Sequence, residues 1–273
     1  MGLFDGILIC TDLDGTLYRN DKSVSEENLR AIEYFKREGG YFTFVTGRMP
    51  YYAGGALKLI EPNAPFGCIN GGGLYDHIRG EYVFNTELDR EAFELVEHIE
   101  TLFPKVGIQA SSFYHTFFHR YNDAMLNFRT VAALPDIQCH YREVPEPVGK
   151  VIFATFDEEE IRGVERALRA HPLADKFDFI RSERTLFEIL PKGVNKGVSI
   201  AKLSEHLKID KSKTVAVGDY NNDVPMLLEA GLGVAVGNAC PEAKAAADLV
   251  TVTNEEDAIA RIIYDIRDGK ILR

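Results

Sequence analysis

The chain has 273 residues, 45% hydrophobic and 27% charged, and its 31 Lys and Arg against 42 Asp and Glu give a formal net charge of −11. That length accommodates one large α/β domain or a domain carrying a second one. The acidic balance argues against a nucleic-acid or membrane-surface partner, either of which needs a positive face, whereas a small anionic substrate requires only local cationic groups or a metal.

The first expected element is a buried strand, Ile7-Leu8-Ile9-Cys10-Thr11, which runs directly into Asp12-Leu13-Asp14-Gly15-Thr16-Leu17. Two carboxylates two residues apart at a strand exit can offer one nucleophile and one proton carrier to the same atom. Gly15 lets the backbone turn away sharply. A plain hydrophilic strand exit is the alternative for this segment alone. A calcium loop does not fit, because its sixth position is Leu17 and its twelfth is Ser23, where Gly and Glu are needed.

Ser25 reads as the cap of a helix with Glu26 and Glu27 in its first turn, where the helix dipole favours acids. Leu29, Ile32 and Phe35 recur at helical spacing, and Gly39-Gly40 ends the helix. A second buried strand, Tyr41–Val45, stops abruptly at Thr46-Gly47-Arg48, and a third apolar segment ends in Cys68-Ile69-Asn70-Gly71.

Residues 84–190 read as a different module. A long helix is expected to be capped by Thr86 and to carry Phe93, Leu95, Val96, Ile99, Leu102 and Phe103. Strand-like runs follow at Gly107–Ser111, Tyr114–Tyr121, Phe177–Arg181 and Thr185–Leu190. Hairpin-like pairs flanked by helices imply an α+β insert with an antiparallel sheet. Alternating helix and strand then resume: a helix over Val194–Leu207, the strand Thr214–Val217 ending in Gly218-Asp219, a helix over Val224–Ala230, and the strand Gly233–Val236. Such alternation predicts a doubly wound parallel sheet. The expected fold class is therefore α/β, with a core of residues 1–83 and 191–273 and an inserted cap of residues 84–190.

In an open parallel sheet, sites form beyond the carboxyl ends of the strands. That rule places Asp12, Asp14, Thr46, Gly47 and Asp219 on one rim. Asp223, in Gly218-Asp219-Tyr220-Asn221-Asn222-Asp223, adds a fourth carboxylate; read alone, this stretch is also compatible with a turn capping the next helix. Carboxylates gathered on one rim repel one another unless a cation sits among them. Hard oxygen ligands with room for water and phosphate suit Mg²⁺, whereas zinc draws more on His and Cys. Thr46 supplies a hydroxyl, Gly47 an unobstructed backbone N–H and Lys196 a compact positive charge, a set able to hold phosphoryl oxygens.

These four segments, in this order, resemble the motifs of the haloacid dehalogenase superfamily, with the closest likeness to the Cof-type phosphatases and their large cap. Asp12–Leu17 is similar to the first motif, Thr46-Gly47-Arg48 to the second, Lys196-Gly197 to the third, and Gly218-Asp219 through Asn222-Asp223 to the fourth. Asn70-Gly71 looks like the family's Asn-Gly-Ala segment with Gly72 in place of Ala. The resemblance implies that Asp12 is a nucleophile forming an aspartyl-phosphate, that Asp14 shuttles the proton, and that Asn222 orients the phosphate. It implies Mg²⁺ held by the Asp12 and Asp219 side chains and the Asp14 carbonyl, with Asp223 acting through water or hydrogen bonds. An acid at position 14 suits phosphoryl transfer from an alkoxide and not halide displacement. The reading is a phosphatase of a small phosphorylated metabolite, a sugar phosphate or a phosphorylated cofactor. A phosphomutase or phosphotransferase, and a non-catalytic phosphometabolite-binding protein, are its alternatives.

For specificity, the aromatic and cationic run Ser112–Tyr121 puts His115, Phe117 and His119 on one strand face. The other candidates are Arg48, Asn70 and Arg181, while a half-buried strand with a wet face is the competing reading of the run. Cys10, Cys68, Cys139 and Cys240 form no Cys-x-x-Cys pair and no disulfide framework, which fits reduced thiols and a cytoplasmic location. No apolar run approaches the roughly 20 residues of a membrane span. A basic-then-apolar signal segment is not expected at the N-terminus, and Gly6 stands where myristoylation favours Ser or Thr.

Overall fold

A computed structural model describes residues 2–272. The first strand, β1 (Leu8–Thr11), is buried throughout, as a strand covered on both faces must be. Helix α1 (Glu26–Arg37) starts where Ser25 accepts a hydrogen bond from the Asn28 N–H, and it ends in Lys36 and Arg37, on the side its dipole favours. Then come β2 (Tyr41–Phe44), α2 (Gly54–Ile60), β3 (Phe66–Cys68), β4 (Gly73–Asp76) and β5 (Glu81–Asn85). The last three pair antiparallel in the order β3-β4-β5.

Eight elements follow: α3 (Ala92–Leu102), β6 (Gly107–Ser112), β7 (Thr116–Arg120), α4 (Asp123–Val131), β8 (Val148–Ala154), α5 (Glu158–Arg169), β9 (Phe177–Glu183) and β10 (Leu186–Pro191). Their strands form an antiparallel sheet in the order β7-β6-β8-β10-β9. One face carries Ile108, Val151, Phe153 and Phe187 against Phe93, Val96 and Ile99 of α3 and Ile161, Val164 and Leu168 of α5. On the other face Phe118, Ile152 and Leu186 pack with Met125 of α4. The same face also buries Gln109, Ser111, Thr116, Lys150 and Glu188, which is tolerated because these groups are paired. Lys150 Nζ bonds Glu188 Oε2 at 2.9 Å, and Gln109 Nε2 donates to Ser111 Oγ at 2.6 Å.

The chain closes with α6 (Lys196–Leu207), β11 (Thr214–Gly218), α7 (Val224–Glu229), β12 (Leu232–Ala235), α8 (Pro241–Ala246), β13 (Leu249–Val250) and α9 (Ala258–Arg267). The parallel sheet they complete runs β13-β12-β11-β1-β2. From β1 the chain goes to β2 on one side and later to β11 on the other. The order therefore reverses at β1/β11, and the crevice of such a sheet lies beyond the carboxyl ends there. Thr11 pairs with Val217, so Asp12 and Asp219 leave the sheet next to each other.

Chain contacts divide the molecule into one unit of residues 1–47, 54–85 and 195–273 and another of residues 48–53 and 86–194. The segment Arg48–Ala53, which the sequence reading left in the first unit, thus goes with the second. Its Tyr51 hydroxyl bonds Thr116 Oγ1, and Tyr52 packs against the Phe118 cluster. Two further expectations are corrected. Thr86 does not cap α3: Leu88 N–H donates to the Val148 carbonyl, Asp89 Oδ1 accepts from Glu91 N–H, and the helix begins only at Ala92. The expected strand from Tyr114 begins at Thr116, because Ser112 Oγ accepts from the Tyr114 and His115 N–H groups and closes a turn. No helix among the described residues is long and apolar enough to cross a membrane.

Candidate active site

The site is built at the exits of β1, β2 and β11 and the start of α6, all within the first unit. Beyond β1, the Asp12 N–H donates to the Val217 carbonyl at 2.8 Å, fixing the turn at the seam between the two strands. Leu13 is buried between Asp12, which is also buried, and Asp14, which is half-buried. Gly15, at φ +82°, cannot be replaced without strain: a Cβ there would stand 2.5 Å from Asp219 Oδ2. Thr16 lies one residue on, and its hydroxyl donates to Asp219 Oδ1 at 2.7 Å.

At the centre is Lys196, fully buried at the first position of α6 behind the Asn195 cap. Its Nζ bonds Asp12 Oδ1 at 2.7 Å and Asp223 Oδ1 at 2.6 Å. Asp223 is saturated, since its Oδ2 accepts the backbone N–H groups of Asp219 and Tyr220 at 2.9 and 3.0 Å. Lys196 and Thr16 engage Asp12 and Asp219 through their Oδ1 atoms. Asp14 is half-buried, and Lys22 Nζ donates to its Oδ1 at 2.9 Å.

Burial pushes Asp12 well above the usual carboxylate range, and the negative charges of Asp223 and Asp219 add to that push against the opposing Lys196. Asp219 is pushed up to about 6 by burial and by Asp223, although the Thr16 hydroxyl pulls the other way. Burial opposes the charge on Lys196, but Asp12 and Asp223 outweigh it and raise its pKa. Three carboxylates thus face one ammonium, and two of them are proton-hungry.

Oxygens of Asp12, Asp219 and Asp223 lie within 4.8 Å of one another. An all-oxygen donor set of three carboxylates facing one ammonium fits a hard divalent cation such as Mg²⁺. The linkage sign follows from the raised Asp219 value. The folded protein holds a proton that the unfolded chain releases near pH 4, so this group's stabilising contribution falls as pH rises from about 4 to about 6. A cation replaces that proton. Added Mg²⁺ should therefore raise the melting temperature more at about pH 7.5 than at about pH 5; equal or reversed shifts would contradict this account.

On the same rim Thr46 and Asn222 are buried, and Gly47 lies beside the Asn70 amide. Asn70, expected as a specificity candidate, is fully buried, as Lys196 is. Arg48, His115, His119 and Arg181 fall in the second unit. There His119 Nε2 bonds Glu100 Oε1 at 2.9 Å, and Phe117 belongs to the apolar cluster against α3 and α5. Arg181 pairs with Glu158 at 3.0 Å and donates to the Arg184 carbonyl. His115 is exposed at the turn before β7. So Phe117 and His119 lie on the helix-covered side of their sheet, and the His115 ring stands edge-on to that of Phe117 at 6.3 Å.

Sequence reasoning gave no role to Thr16 or Lys22. The spacing of Thr16 one residue beyond Gly15 could have suggested one for it, whereas nothing marks Lys22 among the polar residues of its turn. Asn238, also passed over, donates its amide to the Gly15 carbonyl at 2.8 Å.

Comparison with known proteins agrees with this architecture. The family model of haloacid dehalogenase-like hydrolases matches residues 9–263. The 5-amino-6-(5-phospho-D-ribitylamino)uracil phosphatase YitU of Bacillus subtilis (strain 168) is 30% identical over 265 residues, covering 94% of this chain and 96% of that protein. An HMP-PP phosphatase of Klebsiella pneumoniae (strain 342) is 30% identical over 256 residues, covering 87% and 86%. Among solved structures, a haloacid dehalogenase-like hydrolase from Bacteroides thetaiotaomicron superposes with a TM-score of 0.83 at 25% identity, covering 95% of this chain and 99% of the other.

Proposed function

We propose that this chain, which belongs to the haloacid dehalogenase-like hydrolase family and is one of its phosphoric monoester hydrolases, hydrolyses a small phosphorylated metabolite through an aspartyl-phosphate on Asp12. One observation carries the reading: buried Lys196 bonds Asp12 and Asp223 simultaneously, with Asp219 within metal-ligand reach of both carboxylates. Binding a phosphate needs cations; it does not need a buried carboxylate held at their centre.

In this reading the Asp12 carboxylate attacks phosphorus and the bond to the ester oxygen breaks. Asp14, which is half-buried and able to exchange protons with solvent, protonates the departing oxygen. It then takes a proton from the water that cleaves the acyl-phosphate and frees Asp12. Thr46, Gly47, Lys196 and Asn222 hold the phosphoryl oxygens, where catalysis is chiefly positioning and charge neutralisation. Asp12 and Asp219 would hold Mg²⁺ with the Asp14 carbonyl, Asp223 bracing the set, and the cation would neutralise charge on the transferring group. YitU is named for 5-amino-6-(5-phospho-D-ribitylamino)uracil and the other relative for HMP-PP, which supports a small phosphorylated metabolite, a sugar phosphate or a phosphorylated cofactor, as the substrate class here.

The test is a panel of sugar phosphates and phosphorylated cofactors assayed for free phosphate, with Mg²⁺ and with a chelator. Release from at least one compound, lost on chelation, is expected. Tight binding without release across the panel would overturn the hydrolase mechanism. Labelled phosphate recovered in an organic acceptor would instead assign a phosphotransferase.

A further inference from the structure

Between β3 and β4 the backbone takes a conformation that the mechanism above does not use. Ile69, Asn70 and Gly71 have φ of +56°, +52° and +99° in succession. Asn and Gly accept the left-handed region readily, but a buried β-branched residue does not, so the surrounding structure must hold Ile69 there. The segment's contacts show what it secures. The Asn70 N–H donates to the Thr46 carbonyl at 3.1 Å, and its Oδ1 accepts from Asn222 Nδ2 at 3.3 Å. A Cβ on Gly47 would lie 3.1 Å from both Asn70 amide atoms, so Gly47 rests directly on that amide. A Cβ on Gly71 would lie 1.8 Å from the carbonyl of Asn195, the residue before Lys196.

We propose that Asn70 is a positioning residue that ties the Thr46-Gly47 turn to Asn222 and, through Gly71, to the start of the Lys196 helix. These pieces come from distant parts of the chain: the end of β2, the turn after β11 and the start of α6. Asn70 touches Thr46, Gly47 and Asn222 directly, and it acts through these neighbours. Its carboxamide offers an acceptor to Asn222, while its backbone N–H grips the carbonyl of Thr46. Asparagine is suited to do both in a left-handed backbone. The inference deepens the phosphatase reading and rests on it for the roles of Thr46, Gly47 and Asn222.

Asn70→Gly keeps the left-handed backbone accessible and removes only the amide. With p-nitrophenyl phosphate as probe, it should lower kcat/KM by roughly 10- to 100-fold and weaken competitive inhibition by inorganic phosphate in step. Against an Asn222→Ala background the same change should cost little more, because the two amides act as one unit. Wild-type kcat/KM and phosphate inhibition in Asn70→Gly would overturn the proposal, whatever happens to the melting temperature. So would penalties that multiply in the double variant. Should the glycine variant not fold, Asn70→Asp keeps an acceptor oxygen but sets a carboxylate beside Gly47. It is expected to lose phosphate affinity, and unchanged affinity would equally overturn the assignment. Calorimetric binding of inorganic phosphate tests Asn70 even if no ester is turned over, so a failed hydrolase reading and a failed role for Asn70 give different results.

Discussion

Asp12→Asn should abolish phosphate release, by about a thousandfold or more. The amide oxygen of asparagine is a poor nucleophile toward phosphorus, and no other carboxylate stands ready to replace it. Asp223 has both oxygens bound by Lys196 and by two backbone N–H groups. Asp219 is held by Thr16. The substitution is nearly isosteric, and Lys196 keeps the Asp223 carboxylate, so the fold should survive. Phosphate release from the best substrate of the panel, measured alongside a melting curve, checks both points. Full activity in a folded Asp12→Asn protein would exclude the proposed nucleophile.

Lys196→Met should be costly in a different way. The ammonium is fully buried, and its removal leaves Asp12 and Asp223 facing each other without a counter-charge. Breaking a buried ion pair by deleting one partner typically costs about 3–5 kcal/mol. Destabilisation of that order is expected in denaturant unfolding of the metal-free protein, together with loss of activity. Part of the loss should be recovered with Mg²⁺, which supplies positive charge to the same carboxylates. A Lys196→Met protein of wild-type stability would show that the carboxylates find compensation elsewhere.

The contrast between these two variants separates chemistry from scaffold. On these expectations Asp12 would matter for the reaction and hardly at all for the fold, whereas Lys196 would matter for both. A single buried cation bonded to both Asp12 and Asp223 also explains how the site tolerates so much negative charge.

The strand exits were the most legible part of the chain. Asp12, Thr46 and Asp219 each follow a short, mostly apolar run, and a parallel sheet puts such exits on one rim. The start of α6 was legible for a related reason, because Asn195 caps it and Lys196 directly follows. The second unit was harder to read. Its middle strand β8 contains Lys150, and β10 contains Glu188, so both interrupt the hydrophobic pattern that marks a buried strand. The two charges cancel each other across 38 positions of sequence, a relation that no local window contains. The role of Asn70 was hidden in the same way, since Asn222 lies 152 positions away. The surroundings of His119 were not legible either, because alternation gives a strand two faces without saying which one the helices cover.

The placement of Arg48–Ala53 bears on how this protein can be dissected. The second unit is assembled from two separate pieces of chain, so cutting out residues 86–194 does not remove it whole. A shortened core would still carry Tyr51 and Tyr52, stripped of Thr116 and of the apolar cluster around Phe118. Two stranded aromatic rings would then lie only four and five residues beyond Gly47, in a protein now inclined to self-associate. Low activity in such a truncation would report sticky surface and a disturbed turn as much as missing substrate contacts. A clean dissection must also rewrite Tyr51 and Tyr52 as polar residues.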